Sequence, residues 1–185
     1  MPGPLMKLVG AVVYRARGWD FEPLPAYWSP KQVIIGFPHT SNMDTVMAFA
    51  GFARVGIKGH VIVKKSWFVG PMGPIMRGMG GVAVDRSAAT GLVQQLANIF
   101  AQRDEFQLAL VPEGTRKGVK RIKTGFWHIA KAANVPIVCW YLDNKGKKTR
   151  WLGVIEPSDD LQADLRQIKQ IYAAAGFVIE GIADA

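Results

Sequence analysis

Three short stretches of this 185-residue chain hold side chains able to move a proton or grip an anion, and each follows a short apolar run. The first, residues 37–44, reads Phe-Pro-His-Thr-Ser-Asn-Met-Asp and places His39 five positions before Asp44. A carboxylate on one imidazole nitrogen fixes the tautomer, leaves the other nitrogen as a base, and stabilises the imidazolium once it forms. The same pair also suits a structural loop histidine beside a helix-capping aspartate, so this spacing alone does not decide. The second stretch, residues 81–86, is an apolar run ending in Asp85 and Arg86. The third, residues 111–116, reads Val-Pro-Glu-Gly-Thr-Arg. Arg86 and Arg116 can each grip a phosphate through two hydrogen bonds, although a surface ion pair explains either arginine singly. Gly114 lets the backbone approach a ligand closely. Glu113 can orient Arg116 or accept from an acceptor hydroxyl.

Further basic residues flank these stretches: Lys64, Lys65, Lys117, Lys120, Arg121 and Lys123. Most suit a solvated surface, and Lys123 is singled out by its neighbourhood. Trp67, Phe68, Met72, Met76 and Met79 fall in a Gly- and Pro-rich segment and suit a groove for an apolar ligand, a membrane contact or ordinary core. His60 and His128 read as structural. The single cysteine, Cys139, lies in an apolar strand and reads as an inert buried thiol. With one cysteine, an intramolecular disulfide and a Cys-rich zinc site are both excluded, and no metal site is expected.

The elements that must carry these groups alternate along the chain. Strands are expected at 33–37, 60–63, 81–84, 106–111, 137–142 and 150–155. Helices are expected at 44–55, 88–102, 126–133 and 160–174, with Ser41 or Asn42 capping the first and Asn134 closing the third. Residues 69–80 read as a loop with a short helical turn, and 144–148 as a hairpin turn. This alternation predicts one α/β domain with a mostly parallel central sheet flanked by helices. In such sheets ligands bind beyond the carboxyl ends of the strands, where the three polar stretches fall. A short amphipathic helix is expected over residues 5–17, with Leu5, Leu8, Val9, Val12 and Val13 on one face. That face either packs on the core or lies in a membrane interface. With the Pro- and aromatic-rich linker after it, the helix makes up residues 1–30, and the main domain spans 31–185.

In order and spacing these segments resemble the four blocks of the glycerolipid acyltransferase family. His39 and Asp44 match its His-x4-Asp block, and Gly81–Arg86 its apolar strand ending in Arg. Pro112–Arg116 matches its Pro-Glu-Gly-Thr block, and Val135–Val138 its apolar Val-Pro-Ile-Val strand. Lys123-Thr-Gly-Phe is also similar to the family, and the resemblance covers about residues 31–155. Pro38 stands where the family usually has Asn, and Cys139 where it usually has Pro. The resemblance implies an acyltransferase of that fold, with His39 and Asp44 catalytic and Arg86, Glu113, Gly114, Thr115, Arg116 and Lys123 binding substrate. It implies no cofactor. Acyl-CoA or acyl carrier protein is the donor substrate, and a phosphate-bearing lysolipid, by default 1-acylglycerol-3-phosphate, is the acceptor.

Charge is consistent with such partners. The net charge is +9, with 21 Lys/Arg against 8 Asp/Glu in residues 1–155 and 2 against 6 in residues 156–185. A body this basic suits nucleic acid, an anionic membrane or a phosphorylated substrate. No nucleic-acid motif is present, so nucleic acid is not expected as a partner. No segment reads as membrane-spanning. The expectation is a peripheral protein at the cytoplasmic face, held by an anionic membrane surface. Other readings are acylation of a different lysolipid or aminolipid, hydrolysis with His39 activating water, and a non-catalytic basic membrane- or nucleic-acid-binding module.

Overall fold

The computed structural model describes residues 3–37, 42–85, 89–113 and 122–179. Helix α1 (Pro4–Arg17) begins with proline in its first turn and ends at Gly18, whose φ of 63° suits a residue without Cβ. It leads into strand β1 (Asp20–Phe21) and, through an aromatic stretch, into β2 (Lys31–Phe37). Helix α2 (Asn42–Arg54), β3 (Gly59–Lys64), a 3₁₀ turn (Lys65–Phe68) and α3 (Met72–Gly78) follow. The chain continues through β4 (Gly81–Val84), α4 (Ala89–Ala101), β5 (Phe106–Leu110) and α5 (Gly125–Ala133). It closes with β6 (Ile137–Asp143), β7 (Lys148–Ile155) and α6 (Leu161–Ala174). The α/β domain with a mostly parallel sheet is therefore as expected.

These strands form a seven-stranded sheet in the order β1-β7-β6-β2-β5-β3-β4. Strands β2, β3, β4, β5 and β6 run parallel, whereas β7 returns antiparallel to β6. Strand β1 pairs alongside β7, so residues 19–30 supply a sheet edge rather than a plain connection. The reason lies in their side chains. Phe21 is buried, and Leu24, Tyr27 and Trp28 pack against the same cluster.

Alternation along the strands divides the core into two faces. On one face Val33, Ile35 and Phe37 of β2 meet α4, α5 and α6, whose contributions include Leu96, Ile129 and Ile168. On the other, Ile34 of β2 with Val138 and Trp140 of β6 meets α1 and α2 through Tyr14, Met47 and Phe52. Helix α1 docks on α2 through Gly10 and Tyr14. A Cβ on Gly10 would strike the Ala50 carbonyl, and the Tyr14 hydroxyl donates to the Met47 carbonyl at 2.8 Å. Its outward residues Leu5, Leu8, Val9 and Val12 remain 47–71% exposed. Of the two readings of this stripe, core packing is therefore excluded for these four residues. The segment 69–80 holds a real helix, α3, with Trp67, Val69, Met72 and Met79 exposed around it.

Candidate active site

Strands β2 and β5 are neighbours, with Ile35 opposite Leu110, yet the helices that follow them lie on opposite faces of the sheet. Helix α2, after β2, covers the aromatic face, and α5, after β5, covers the aliphatic one. The chain thus diverges between these two carboxyl ends, and a crevice opens there. Residues 38–44 follow β2 and residues 111–116 follow β5, so the His-x4-Asp and Pro-Glu-Gly-Thr-Arg stretches leave from adjacent strands. Strand β4, which delivers Arg86, is three places from β2, or about 14 Å across the sheet at ~4.8 Å per strand.

Asp44 sits in the first turn of α2, where the helix dipole favours a carboxylate, and is 6% exposed. It is the one charged residue, among the described residues, on the wall of a cavity of about 90 Å³. The rest of that wall comes from β2, β3, β5 and β6 and from α2, including Ile34, Ala48, Phe52, Val61, Leu110 and Leu142. Gly36 belongs to it for a steric reason: a Cβ there would come within 2.9 Å of the Trp140 ring.

Glu113 is half-buried just past β5. The carboxylate also adds to the upward push that burial gives the Tyr172 hydroxyl. Lys123 returns to the same strand end, because its N–H donates to the Pro112 carbonyl at 3.1 Å. Residues 113–122 therefore leave and re-enter at one point on the carboxyl edge. Ile122 is buried and pins the return, while the Lys123 side chain stays exposed. The exit of β4 is fixed in a similar way by Gln95 of α4. Its side chain accepts from the Asp85 N–H at 3.1 Å and donates to the Asp85 carbonyl at 3.3 Å.

Of the site residues expected from sequence, Asp44, Glu113 and Lys123 are placed at the carboxyl edge. His39, Arg86, Gly114, Thr115 and Arg116 lie outside the described residues, as does Ser41, one of the two caps expected for α2. Three contributors gave no sequence signal: Gln95, Gly36 and Tyr172. The Tyr172 hydroxyl, reaching in from α6, accepts from the Trp140 N–H at 3.1 Å and lies 2.9 Å from both the Ile35 and Trp140 carbonyls. Its ring packs edge-on against Phe37, the last residue of β2 before the His39 stretch, with centroids 5.0 Å apart. A lone glutamine or tyrosine in an amphipathic helix carries no mark of such a role. Cys139 is fully buried, and burial pushes its thiol up to about 12, so it is no nucleophile at neutral pH. Among the described residues, no cluster of His, Cys, Asp and Glu could hold a metal ion.

A family profile described as Acyltransferase matches residues 22–143. The chain belongs to the acyltransferase family. The match runs from the aromatic stretch before β2 to the end of β6 and includes all four blocks. The acyltransferase is also similar in structure to the 1-acyl-sn-glycerophosphate acyltransferase PlsC from Thermotoga maritima. The TM-score is 0.62 at 15% sequence identity, over 92% of this chain and 76% of that one. At that identity the likeness speaks for the fold. No curated protein matches the acyltransferase by sequence. No helix among its described residues is long and apolar enough to cross a membrane.

Proposed function

We propose that this acyltransferase moves a fatty acyl group from an acyl thioester, on coenzyme A or acyl carrier protein, to a hydroxyl of a phosphate-bearing lysolipid. The acceptor we favour is 1-acylglycerol-3-phosphate, the class of substrate named for the Thermotoga relative. One observation carries the reading: a buried carboxylate, five residues after a histidine, is the one charged side chain among the described residues lining an apolar cavity at the sheet's switch point. Apolar walls suit the first carbons of an acyl chain, and the polar stretches at the rim suit the acceptor.

His39 takes the proton from the acceptor hydroxyl as it attacks the thioester carbonyl, a contribution of ~10²–10⁴-fold. Asp44 orients the ring and stabilises the imidazolium. The carbon–sulfur bond then breaks and the thiol departs with the proton. Because the thioester is already activated, no covalent enzyme intermediate is needed. Arg86 and Arg116, with Lys123 beside them, hold the acceptor phosphate, and the positioning gained is a large part of the rate. Glu113, Gly114 and Thr115 shape the loop around it. No cofactor takes part.

The exposed apolar ridge of α1 and the basic body support peripheral attachment to an anionic leaflet, which we assign to the cytoplasmic face. Release of free thiol from long-chain acyl-CoA, measured over a panel of lysolipid acceptors, tests the assignment. Release that depends on lysophosphatidic acid is the expected result. Equal release without any acceptor identifies a hydrolase, and no release from either CoA or carrier-protein donors removes the enzymatic reading.

A further inference from the structure

The opposite edge of the sheet holds a second concavity that the acyl-transfer reading does not use. It is a cavity of about 590 Å³ at the amino ends of β2, β3 and β5, about 20 Å from the carboxyl edge at ~3.3 Å per strand residue. Three cations from three separate elements line it: Lys7 of α1, Lys58 from the turn before β3, and Arg103 from the turn before β5. None of the three has a carboxylate within ion-pair distance among the described residues. Glu105 also lines the cavity and leaves an excess of two positive charges there. Trp28, Leu24 and Ile57 supply an apolar wall.

Of the three, Arg103 is held by two contacts. The Arg103 guanidinium stacks over the Phe106 ring at 4.8 Å, and its Nη1 lies 3.2 Å from His60 Nε2. Donation by the arginine makes Nε2 the acceptor and puts the imidazole proton on Nδ1. His60 is 7% exposed, and burial, with Arg103 and Lys58 nearby, lowers its pKa to about 4. At neutral pH it is therefore an uncharged brace for the arginine. The Lys7 ammonium lies over the turn at Gly56, where a Cβ would come within 3.0 Å of Nζ. A braced guanidinium with two ammonium groups on the same cavity wall suits the charge of a phosphate.

We propose that this cavity is an accessory binding site for a phosphate-bearing anion, and that its occupant fastens α1 to the body of the domain. The apolar wall suits a phosphate ester with an apolar or aromatic portion. Bridging Lys7 to Lys58 and Arg103 ties the helix with the exposed apolar ridge to two turns of the sheet. The occupant is a soluble phosphate ester or the headgroup of an anionic phospholipid.

The test uses the full chain carrying Arg86→Ala and Arg116→Ala, so that phosphate held at the proposed acceptor clamp does not contribute. Calorimetric titration with inorganic phosphate and with glycerol phosphate, at constant ionic strength, should show saturable one-site binding. Adding Lys7→Ala and Lys58→Ala, both exposed positions, should weaken it roughly tenfold or more, since each removes a charge-assisted contact to the anion. Lys145→Ala, on the β6–β7 turn, should leave it unchanged. Hydrogen exchange of α1 should slow with phosphate. Sedimentation with phosphatidylcholine vesicles, with and without phosphatidic acid, reads the source. Binding to acidic vesicles that depends on Lys7 and Lys58, without binding of soluble phosphate, assigns a lipid headgroup. Equal losses with Lys145→Ala, or no effect of Lys7→Ala and Lys58→Ala in either assay, overturn the proposal. Those outcomes leave the catalytic reading untouched, because they concern the other edge of the sheet.

Discussion

The two faces of the sheet are built from different materials, and they do different work. The face under α4, α5 and α6 is the larger one, mainly aliphatic with Phe37, Phe100, Phe106 and Tyr172 among its buried rings, and it is tied down by polar straps. Asp164 of α6, 4% exposed, accepts from Trp127 Nε1 at 2.6 Å, from the Ser158 N–H at 2.7 Å and from its hydroxyl at 2.8 Å. Asp160 caps the same helix by accepting from the N–H groups of Gln162 and Ala163. The face under α1 and α2 is aromatic, with Phe52, Trp140 and Trp151 packed round one another and small residues such as Gly36 and Ala48 between the rings and the crevice. The crevice that holds Asp44 lies on the aromatic face. The strapped face backs the sheet from the side away from that crevice.

This contrast can be broken at single residues. The largest effect should come from His39→Ala, with acyl transfer falling at least ~10²-fold and the melting temperature almost unchanged. Asp44→Asn should also cut the rate severely by favouring the wrong tautomer. Near-normal turnover in His39→Ala would remove the mechanism. On the strapped face the pattern should invert. Asp164→Ala should cost about 2–4 kcal/mol in chemical denaturation, because it strands buried donors that now meet a carboxylate, while kcat per folded molecule persists. Loss of kcat without loss of stability would show that the two faces are not separable in this way.

A smaller effect is expected from Gly36→Ala. The new methyl group presses on the Trp140 ring, which is hemmed in by Phe52 and Trp151, and overpacking of this kind costs about 1–3 kcal/mol. It also narrows the cavity, so the preference among acyl donors should move to shorter chains. An unchanged chain-length profile would place the acyl chain elsewhere.

The smallest effect concerns pH. His60 faces Phe106, Arg103 and Lys58, and its folded pKa of about 4 lies below the ordinary 6.5. Between those values the unfolded chain binds the proton and the folded one does not. Stability is therefore drawn down as pH falls from about 6.5 towards 4. In His60→Asn the melting temperature should fall less steeply over that window. An identical slope in both proteins would show that His60 gains its proton without cost.

How much of this was legible in the chain differs from place to place. The alternation of apolar runs and amphipathic stretches is local, and strands such as Val33–Phe37 and helices such as Phe126–Ala133 follow from it. The type and order of the polar residues are also local, so the four blocks point to the acyltransferase family without any coordinates. Even where the helix at residues 5–17 should lie was readable, because 3.6-residue periodicity lives on one element.

What the sequence could not decide are the relations between elements. The strand order puts β2 beside β5 across more than seventy residues of chain, and the opposite placement of α2 and α5 makes the crevice. Both depend on long-range packing that leaves no periodic trace. Which side of α1 meets the domain was likewise open. Its apolar stripe alone favours burial, yet Gly10 and Tyr14 win the interface, because only a glycine allows the close approach to Ala50 and the tyrosine hydroxyl finds the Met47 carbonyl. The roles of Gln95 and Tyr172 depend on the same kind of meeting. The sequence by itself determined most of the elements and the acyltransferase blocks. The tertiary structure alone decided which faces and strand ends meet, because those contacts join residues far apart in the chain and are set by how the surfaces fit.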